Sequence, residues 1–231
     1  MNEDDKNIIY RDLGLTDYKM TWEIQEDLFN RLVRHKMDPG TEPPPQFLLF
    51  CEHPHVYTLG KSGDERNLLI RDDFLERIGA TYYKTNRGGD ITYHGPGQIV
   101  GYPILDLERV GIGLKKYIFL LEEAIIRLLA AYGLIAMRME GATGVWLDAG
   151  HPATARKICA IGVRSSRHVT MHGFALNVNT DLQYFTYINP CGFDTKGVTS
   201  MEKELGDRMD VESVKLQLKE ILMELLLAPE R

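Results

Sequence analysis

The sequence predicts an α+β fold in a single domain, with a mixed β-sheet flanked by helices. Two observations lead to this class. The 231 residues are 44% apolar and 26% charged, which is ordinary for a globular chain of about this size and excludes a disordered or repetitive protein. Helical patterns lie near both ends and in the middle of the chain, and short apolar runs rich in β-formers lie between them.

The first helix is predicted over 16–36, because apolar side chains recur there with a period near four. The predicted buried face consists of Met20, Ile24, Leu28, Phe29, Leu32 and Val33. A proline-rich stretch over 38–45 cannot continue the helix, since proline lacks an amide donor and restricts the residue before it. Short apolar runs at 47–51 and 56–59 are typical of strands.

The segment 81–103 is rich in Gly, Thr and Tyr, which favours strands and tight loops. A second helix is predicted over 114–132, with Gly133 at its C-terminal end. Thr199 and Glu202 have the spacing of a capping box for a short helix ending near Gly206, and Asp210 is placed to cap a last helix. The remaining predicted elements are strands at 145–147, 157–163 and 173–178 and the last helix at 211–227.

Charge and end composition exclude several partner classes. The 27 basic and 33 acidic residues give a net charge of −6 and are scattered, which disfavours nucleic-acid binding. The first residues are polar and acidic, and no apolar run reaches the ~18 residues of a membrane span. Three cysteines are too few for a disulfide framework. We therefore expect a cytoplasmic protein with free thiols and no membrane partner.

The segment 87–98 contains four glycines and a proline around Arg87 and His94. Glycines allow main-chain amides to approach a ligand closely, and the two side chains supply hydrogen-bond donors. A tight hairpin is the alternative interpretation. The spacing matches neither a phosphate-binding loop nor a dinucleotide-binding loop.

Two of the three thiols are candidates for chemistry. Cys191 lies between Pro and Gly and is predicted to be presented on a turn, whereas Cys51 lies in an apolar run typical of a buried strand. Cys159 is ambiguous, because strand alternation would place it on the same face as Lys157. A nucleophilic thiol needs a neighbouring cation or base, since its pKa is near 8.5 when unperturbed. Lys157 is one candidate, and the histidines His94, His168 and His172 are the others.

A metal site receives little support. Cys51, His53 and His55 alternate along the chain, but no second Cys or His pair follows at zinc-like spacing. A serine-hydrolase elbow is also absent from the sequence.

Five motifs, taken in order, closely resemble the lipoyl(octanoyl) transferases. They are Glu52-His-Pro-His-Val-Tyr-Thr-Leu-Gly60, the segment Arg87-Gly-Gly-Asp-Ile-Thr-Tyr-His-Gly-Pro-Gly-Gln98, Lys157-Ile-Cys-Ala-Ile-Gly162, His172-Gly-Phe-Ala-Leu-Asn-Val178 and Pro190-Cys-Gly192. The resemblance implies the biotin/lipoate protein ligase-like fold, as one catalytic domain over 1–231 with a core over about 42–220. It also implies transfer of an octanoyl group from octanoyl-acyl carrier protein to the lysine of a lipoyl domain.

The same resemblance assigns roles to residues. Cys191 matches the nucleophile that carries the acyl thioester, and Lys157 matches the lysine that lowers its pKa. The matching substrate-binding residues are Arg87, Gly88, Gly89, Asp90, Ile91, Thr92, Tyr93 and His94, then Ala160, Ile161 and Gly162, then Gly173, Phe174 and Ala175. No ATP, metal or other cofactor is implied. The implied acceptors are lipoyl domains of 2-oxoacid dehydrogenase E2 subunits and the glycine cleavage H protein.

Three rival functions stay open at this point. An ATP-dependent lipoate or biotin protein ligase shares the fold but needs no cysteine nucleophile. An amidotransferase between lipoyl domains differs in its acyl donor, and a non-catalytic binding scaffold would have no need of Lys157 and Cys191. Since acyl carrier proteins are typically acidic, we also expect a basic docking patch that includes Arg87, Arg164 and Arg167.

Overall fold

The structure is a computed structural model that describes residues 7–40, 42–189 and 197–228. Its strands are β1 (Ile8–Leu15), β2 (Gln46–Glu52), β3 (Val56–Leu59), β4 (Thr81–Lys84), β5 (Ile91–His94), β6 (Gln98–Ile104), β7 (Ala136–Arg138), β8 (Val145–Leu147), β9 (Arg156–Ser166), β10 (Val169–Asn177) and β11 (Gly197–Val198). Its α-helices are α1 (Tyr18–Met37), α2 (Asp72–Arg77), α3 (Leu107–Val110), α4 (Leu114–Ala131), α5 (Met201–Leu205) and α6 (Val211–Leu227). Short 3₁₀ turns occupy Glu65–Asn67 and Leu182–Tyr187.

The strands form two sheets. The larger has the order β1-β2-β6-β10-β9-β8-β7, with β11 added beside β9, and the smaller has the order β4-β3-β5. Parallel pairs (β1 with β2, β11 with β9, β3 with β4) occur together with antiparallel ones, so both sheets are mixed. The long antiparallel pairing of β9 with β10 runs from Ser166 opposite Val169 to Cys159 opposite Leu176.

Helices cover both faces of the large sheet. On one face, Phe29 and Leu32 of α1 pack against a cluster that includes Phe47 and Leu49 of β2. On the other face, α4 and α6 pack over Leu48 and Phe50 of the same strand, as the alternation of side chains along a strand requires. This layered arrangement confirms the predicted α+β class with a mixed sheet flanked by helices.

The predicted helices and strands are present, but the predicted buried face of α1 is partly wrong. Met20 and Ile24 are 61% and 39% exposed, whereas Thr21 and Gln25 are fully buried. The reason is a hydrogen bond between α1 and the sheet. The Gln25 side chain accepts a hydrogen bond from the amide of His172 at 3.0 Å, which turns this side of the helix toward the sheet.

The predicted cap of α5 is wrong by one residue. Ser200 is the N-cap, since its hydroxyl accepts from the amide of Lys203, and the Thr199 hydroxyl donates to Glu204 instead. Gly206 ends this helix in the left-handed conformation with φ +77°, and Asp210 caps α6, as predicted.

The predicted limits of the domain stay a prediction. β1 and α1 both precede position 42 and contact the large sheet. Among the described residues, no helix has the length and apolarity needed to span a membrane.

Replacing Gly101 by Ala should destabilise the protein, because a Cβ there would lie 2.2 Å from the Phe174 ring in the middle of the sheet. Overpacking of this kind costs about 1–3 kcal/mol. Urea denaturation measures the change in the free energy of unfolding. Gly150→Ala is the matched control, since a Cβ there meets nothing within 4 Å, and equal stability of the two variants would contradict the packing described.

Candidate active site

A cavity of about 940 Å³ lies over the face of the large sheet that also carries α1. Thirteen of the predicted site residues line it: Arg87, Gly89, Asp90, Ile91, Thr92, His94, Lys157, Ala160, Ile161, Gly162, Gly173, Phe174 and Ala175. Gly88 and Tyr93 are not among the lining residues. Cys191 lies outside the described residues. Segments far apart in the sequence therefore converge on one chamber.

The glycine-rich loop lies directly on β9. The Gly88 amide donates to the carbonyl of Val163 at 2.9 Å, and a Cβ on Gly162 would lie only 2.7 Å from the Gly88 carbonyl oxygen. A Cβ on Gly60 would meet the carbonyl of Gly89 at 2.2 Å. The glycines are thus required for close contact of the chain with itself, and their contact with a substrate stays a prediction.

Arg87 is buried inside this loop, with 7% of its surface exposed. Its guanidinium donates to the Thr58 carbonyl at 2.5 Å, to the Thr58 hydroxyl and to the Gly88 carbonyl. The expectation that Arg87 belongs to a surface docking patch is therefore wrong, because its donors are directed at backbone and hydroxyl groups within the site. Arg164 packs its guanidinium over the Phe29 ring at 4.8 Å.

Lys157 is held in the cavity wall by aromatic and backbone neighbours. Its Nζ lies 4.7 Å from the centre of the Trp146 ring, a geometry in which the ring attracts the cation. The Trp146 indole donates to the Ala142 carbonyl at 2.9 Å, which fixes the ring. Gly144 lies against both the lysine stem and the backbone of β9, since a Cβ there would meet the Cys159 carbonyl oxygen at 2.6 Å.

A β-bulge in β9 separates Lys157 from Cys159. Lys157 pairs with Trp146 and Cys159 pairs with Val145, so Ile158 is the extra residue and the simple alternation breaks. Lys157 lines the cavity, whereas Cys159 belongs to the core cluster under α4 and α6. The possibility that Lys157 serves Cys159 on one strand face is therefore wrong.

Burial disfavours the thiolate form of the two described thiols. It raises the pKa of Cys159 well above its usual value, despite the opposing charge of Lys157. The pKa of Cys51 is raised in the same way, mainly by burial. Since the thiolate is the reactive form, neither residue is suited to nucleophilic attack at neutral pH.

The residues on either side of the segment 190–196 lie in the cavity wall. Asn189 and Gly197 both line the cavity. The Asn189 amide donates to the carbonyl of Asn67 at 2.8 Å, and Val198 pairs with Lys157 in the β11–β9 ladder. The chain thus leaves and re-enters the described structure at the same chamber.

The candidate histidine bases divide into two kinds. Burial lowers the pKa of His94 to about 3 and that of His172 to about 3, in both cases with a contribution from Arg87. Both rings line the cavity as neutral hydrogen-bonding groups: His94 Nδ1 contacts Gln98 Oε1 at 2.8 Å and His172 Nε2 contacts Asn86 Oδ1 at 2.7 Å. His168 is exposed and lies near Glu108, outside the cavity wall.

His53 and His55, two of the three residues weighed as metal ligands, have different hydrogen-bond partners. His53 contacts the carbonyl of Thr16 and the hydroxyl of Tyr102, both at 2.8 Å, whereas His55 contacts Tyr93 at 2.7 Å. Among the described ranges no three His, Cys, Asp or Glu side chains are grouped as metal ligands.

Several lining residues were not predicted from the sequence. Tyr18 begins α1 and stacks on His94 with 5.8 Å between ring centres, and Trp146 lies in a short strand with no motif around it. Gln98 is the last residue of one quoted motif and Asn177 the last but one of another, and both line the cavity. Their position in those motifs was the available signal, but their role depends on contacts between strands distant in sequence.

Comparison with known proteins identifies the family. Residues 17–223 match the model of the lipoyl protein ligase A/B catalytic domain. An octanoyltransferase of Bacteroides fragilis is 58% identical over 219 residues, covering 94% of this chain and 98% of the relative. An octanoyltransferase of Flavobacterium johnsoniae is 60% identical over 218 residues, covering 92% of this chain and 94% of the relative. The chain belongs to the lipoyl(octanoyl) transferase family. The prediction from the five motifs, and with it that of an enzyme of the octanoyltransferase type, is confirmed.

Solved structures show the same fold for this family member. A bipartite lipoate protein ligase from Thermoplasma acidophilum superimposes with a TM-score of 0.67 at 16% identity, covering 97% of this chain and 85% of the other. A lipoate-protein ligase A bound with ATP gives a TM-score of 0.65 at 14% identity, covering 97% and 87% of the two chains. At these identities the likeness establishes the ligase-like fold alone.

The buried histidines should make stability depend on pH. An unfolded histidine has a pKa near 6.5, so between about pH 6.5 and 3 the unfolded chain binds protons that buried His94 and His172 do not. The free energy of unfolding should therefore be level above about pH 7 and fall as the pH is lowered, by up to ~1.4 kcal/mol per pH unit for each histidine.

His172→Asn tests this dependence, since asparagine tolerates the positive φ of +58° at this position. Urea denaturation between pH 7 and 4.5 should give a shallower decline for the variant. His168→Asn is the control, because this side chain is 59% exposed and meets water in both states. An unchanged slope in His172→Asn would contradict the burial of an uncharged ring.

Proposed function

We propose that this chain moves an octanoyl group from octanoyl-acyl carrier protein to the specific lysine of apo-lipoyl domains, through a thioester on Cys191. The acceptors are lipoyl domains of 2-oxoacid dehydrogenase E2 subunits and the glycine cleavage H protein, and the reaction takes place in the cytoplasm without ATP, metal or other cofactor. The observation that carries the proposal is that Lys157 lines a large cavity, and that Asn189 and Gly197, the residues on either side of the segment of Cys191, line the same cavity.

The wall chemistry fits an acyl thioester. The cavity is lined by both apolar and polar side chains. The apolar ones include Ile91, Ile161, Phe185 and Ile188, and the polar ones include Arg87, His94 and Lys157. An acyl chain in such a chamber is stabilised by about 0.8 kcal/mol for each buried CH₂ group. Burial raises the pKa of the other two thiols, which disfavours them as nucleophiles and supports the choice of Cys191.

The first half-reaction exchanges one thioester for another. Lys157 takes the Cys191 proton and stabilises the thiolate as an ammonium; the thiolate attacks the carbonyl carbon of the donor. The bond between the carbonyl and the carrier sulfur breaks, and the leaving sulfur takes the proton from Lys157. The free-energy change is small, because one thioester replaces another.

The second half-reaction forms the stable amide. The target lysine amine attacks the Cys191 thioester, and neutral Lys157 accepts the proton that the attacking nitrogen loses. The carbon–sulfur bond breaks, and the Cys191 thiolate leaves beside the new Lys157 ammonium. Backbone amides of the glycine-rich loop or near Ala160–Gly162 are the proposed donors to the oxyanion in both steps.

The acyl-enzyme can be detected directly. After mixing with octanoyl-acyl carrier protein and no ATP, intact-protein mass spectrometry should show a hydroxylamine-sensitive octanoyl adduct on the wild-type chain and none on Cys191→Ala. Transfer by Cys191→Ala that requires ATP and free octanoate would instead assign the chain to the ligase reaction. Replacing the donor with an octanoylated lipoyl domain separates the amidotransferase reaction.

Lys157 variants separate the two roles of this side chain. Lys157→Met should slow both half-reactions by ~10²–10⁴-fold, the usual contribution of a positioned acid–base group. Lys157→Arg keeps a cation but cannot take up a proton, since arginine stays charged. It should therefore retain part of the acylation and lose aminolysis.

Single-turnover mass spectrometry of each half-reaction makes this measurement. Lys84→Met, at a lysine 61% exposed on the small sheet, is the control and should react like the wild type. Aminolysis at the wild-type rate in Lys157→Arg would contradict the proton-accepting role.

A further inference from the structure

A line of buried hydrogen bonds joins the glycine-rich loop to Lys157 through residues that no role above explains. Gln98 and Asn177 are its central members, 1% and 4% exposed, and both reach the cavity wall. Asn177 is followed in the line by Thr199, which is fully buried. The line crosses from the small sheet into the large one.

The direction of each bond can be deduced from its neighbours. Gln98 Nε2 donates to the Tyr93 carbonyl at 3.2 Å and to Asn177 Oδ1 at 2.9 Å, so Gln98 Oε1 is left as an acceptor. His94 Nδ1 lies 2.8 Å from that oxygen and must carry the proton. The His94 tautomer is therefore set by Gln98.

The lone pair of His94 Nε2 then faces the hydroxyl of Thr58, at 3.5 Å. That hydroxyl accepts hydrogen bonds from Arg87 Nε at 3.2 Å and from a terminal guanidinium nitrogen at 3.0 Å. Its own proton is thus directed at His94. One end of the line is in this way connected to the arginine of the glycine-rich loop.

The other end reaches the backbone of Lys157. Asn177 Oδ1 accepts from Gln98, so Nδ2 is the donor, and it bonds the Thr199 carbonyl at 2.9 Å. The Thr199 amide in turn donates to the carbonyl of Lys157 at 3.0 Å. Reversing any one amide would place two acceptors or two donors face to face in a buried region, which is costly.

We propose that Gln98 and Asn177 are positioning residues for the acyl transfer, acting on Lys157 through the backbone of Thr199 and on Arg87 through His94. This inference rests on the proposed role of Lys157. The line sets where the lysine backbone lies relative to the loop, so a change in it moves the ammonium relative to the reacting carbonyl. Displacements of this size reduce rates without removing the substrate-binding surface.

Asn177→Asp is the sharpest test, because the side chain keeps its shape while the donor to Thr199 becomes an oxygen. The rate of acyl-enzyme formation at saturating donor should fall at least ~10-fold, with the KM for the donor nearly unchanged. Amide hydrogen exchange at Thr199, followed by NMR, should accelerate at least ~10-fold in the same variant, since its bond to Lys157 is loosened.

The pH profile distinguishes positioning from simple loss of packing. Once protonated, the introduced carboxyl can again donate to the Thr199 carbonyl, so the ratio of variant to wild-type rate should rise as the pH is lowered. Asn177→Ala should show a low ratio at every pH. The titratable and charged groups on the elements around this position include Arg87, His94, Lys157, His172, Lys203, Glu204 and Arg156, and they are common to all the chains compared.

Asn179→Asp is the matched control. Asn179 lies two residues further on and bonds the carbonyl and amide of Met209 at 2.8 and 2.9 Å, away from the cavity wall. This variant should lose stability but keep the wild-type acylation rate.

Four outcomes are informative. A slower acylation with faster exchange at Thr199, absent from the control, supports the proposal. Unchanged acylation in Asn177→Asp overturns it, and so does a loss that Asn179→Asp shares. A wild-type chain that forms no octanoyl adduct overturns the proposed function itself, and the positioning role is lost with it.

Discussion

The contact between the glycine-rich loop and β9 is the constraint on which the site depends. The Gly88 amide bonds Val163 across a gap that only glycine at position 162 permits. Amides of residues 60–62 bond the carbonyls of Arg87, Gly89 and Asp90. These latter bonds hold the segment after β3 against the segment before β5, and the Gly88–Val163 bond joins this small-sheet layer to the large sheet. The cavity is lined by residues of both sheets. A side chain at either glycine would separate the layers.

Desolvation then decides which groups can take part in chemistry. Burial raises the pKa of Cys51 and Cys159 and lowers that of His94 and His172, so these groups are held in their neutral forms. Lys157 is placed differently, at a bulge that directs it into the cavity beside the Trp146 ring. The polar wall therefore provides fixed hydrogen-bonding groups near Lys157, as the proposed proton transfer requires.

Much of the fold follows from local pattern. The predicted helices and strands follow from hydrophobic period, prolines and caps, because these signals act within a few residues. β1, α2 and β11 were not predicted. The buried face of α1 cannot be predicted in this way. Gln25 is buried because its side chain accepts a hydrogen bond from the His172 amide, which lies 147 positions further along the chain. The bulge at Ile158 also has no recognisable signal in the local sequence. Because of it, Lys157 and Cys159 do not share a face of β9, although simple alternation would predict that they do.

In the candidate site, too, some features can be predicted from the local sequence and others depend on contacts between distant residues. The glycine-rich loop is recognisable in the sequence because its composition is unusual. The family resemblance then indicates which other motifs belong to the same site. That Arg87 is buried rather than displayed, and that Gln98 and Asn177 join it to Lys157, depends on pairing between strands distant in the chain. Such contacts are fixed by topology, which a single sequence does not specify.

A crystal structure of the chain with a bound octanoyl thioester tests the central claim most directly. The account predicts the acyl chain in the cavity between the glycine-rich loop and β9, with the Cys191 sulfur within ~4–6 Å of Lys157 Nζ, the range in which the ammonium favours the thiolate. An acyl chain bound elsewhere, or a Cys191 sulfur well beyond that range from Lys157, would contradict it.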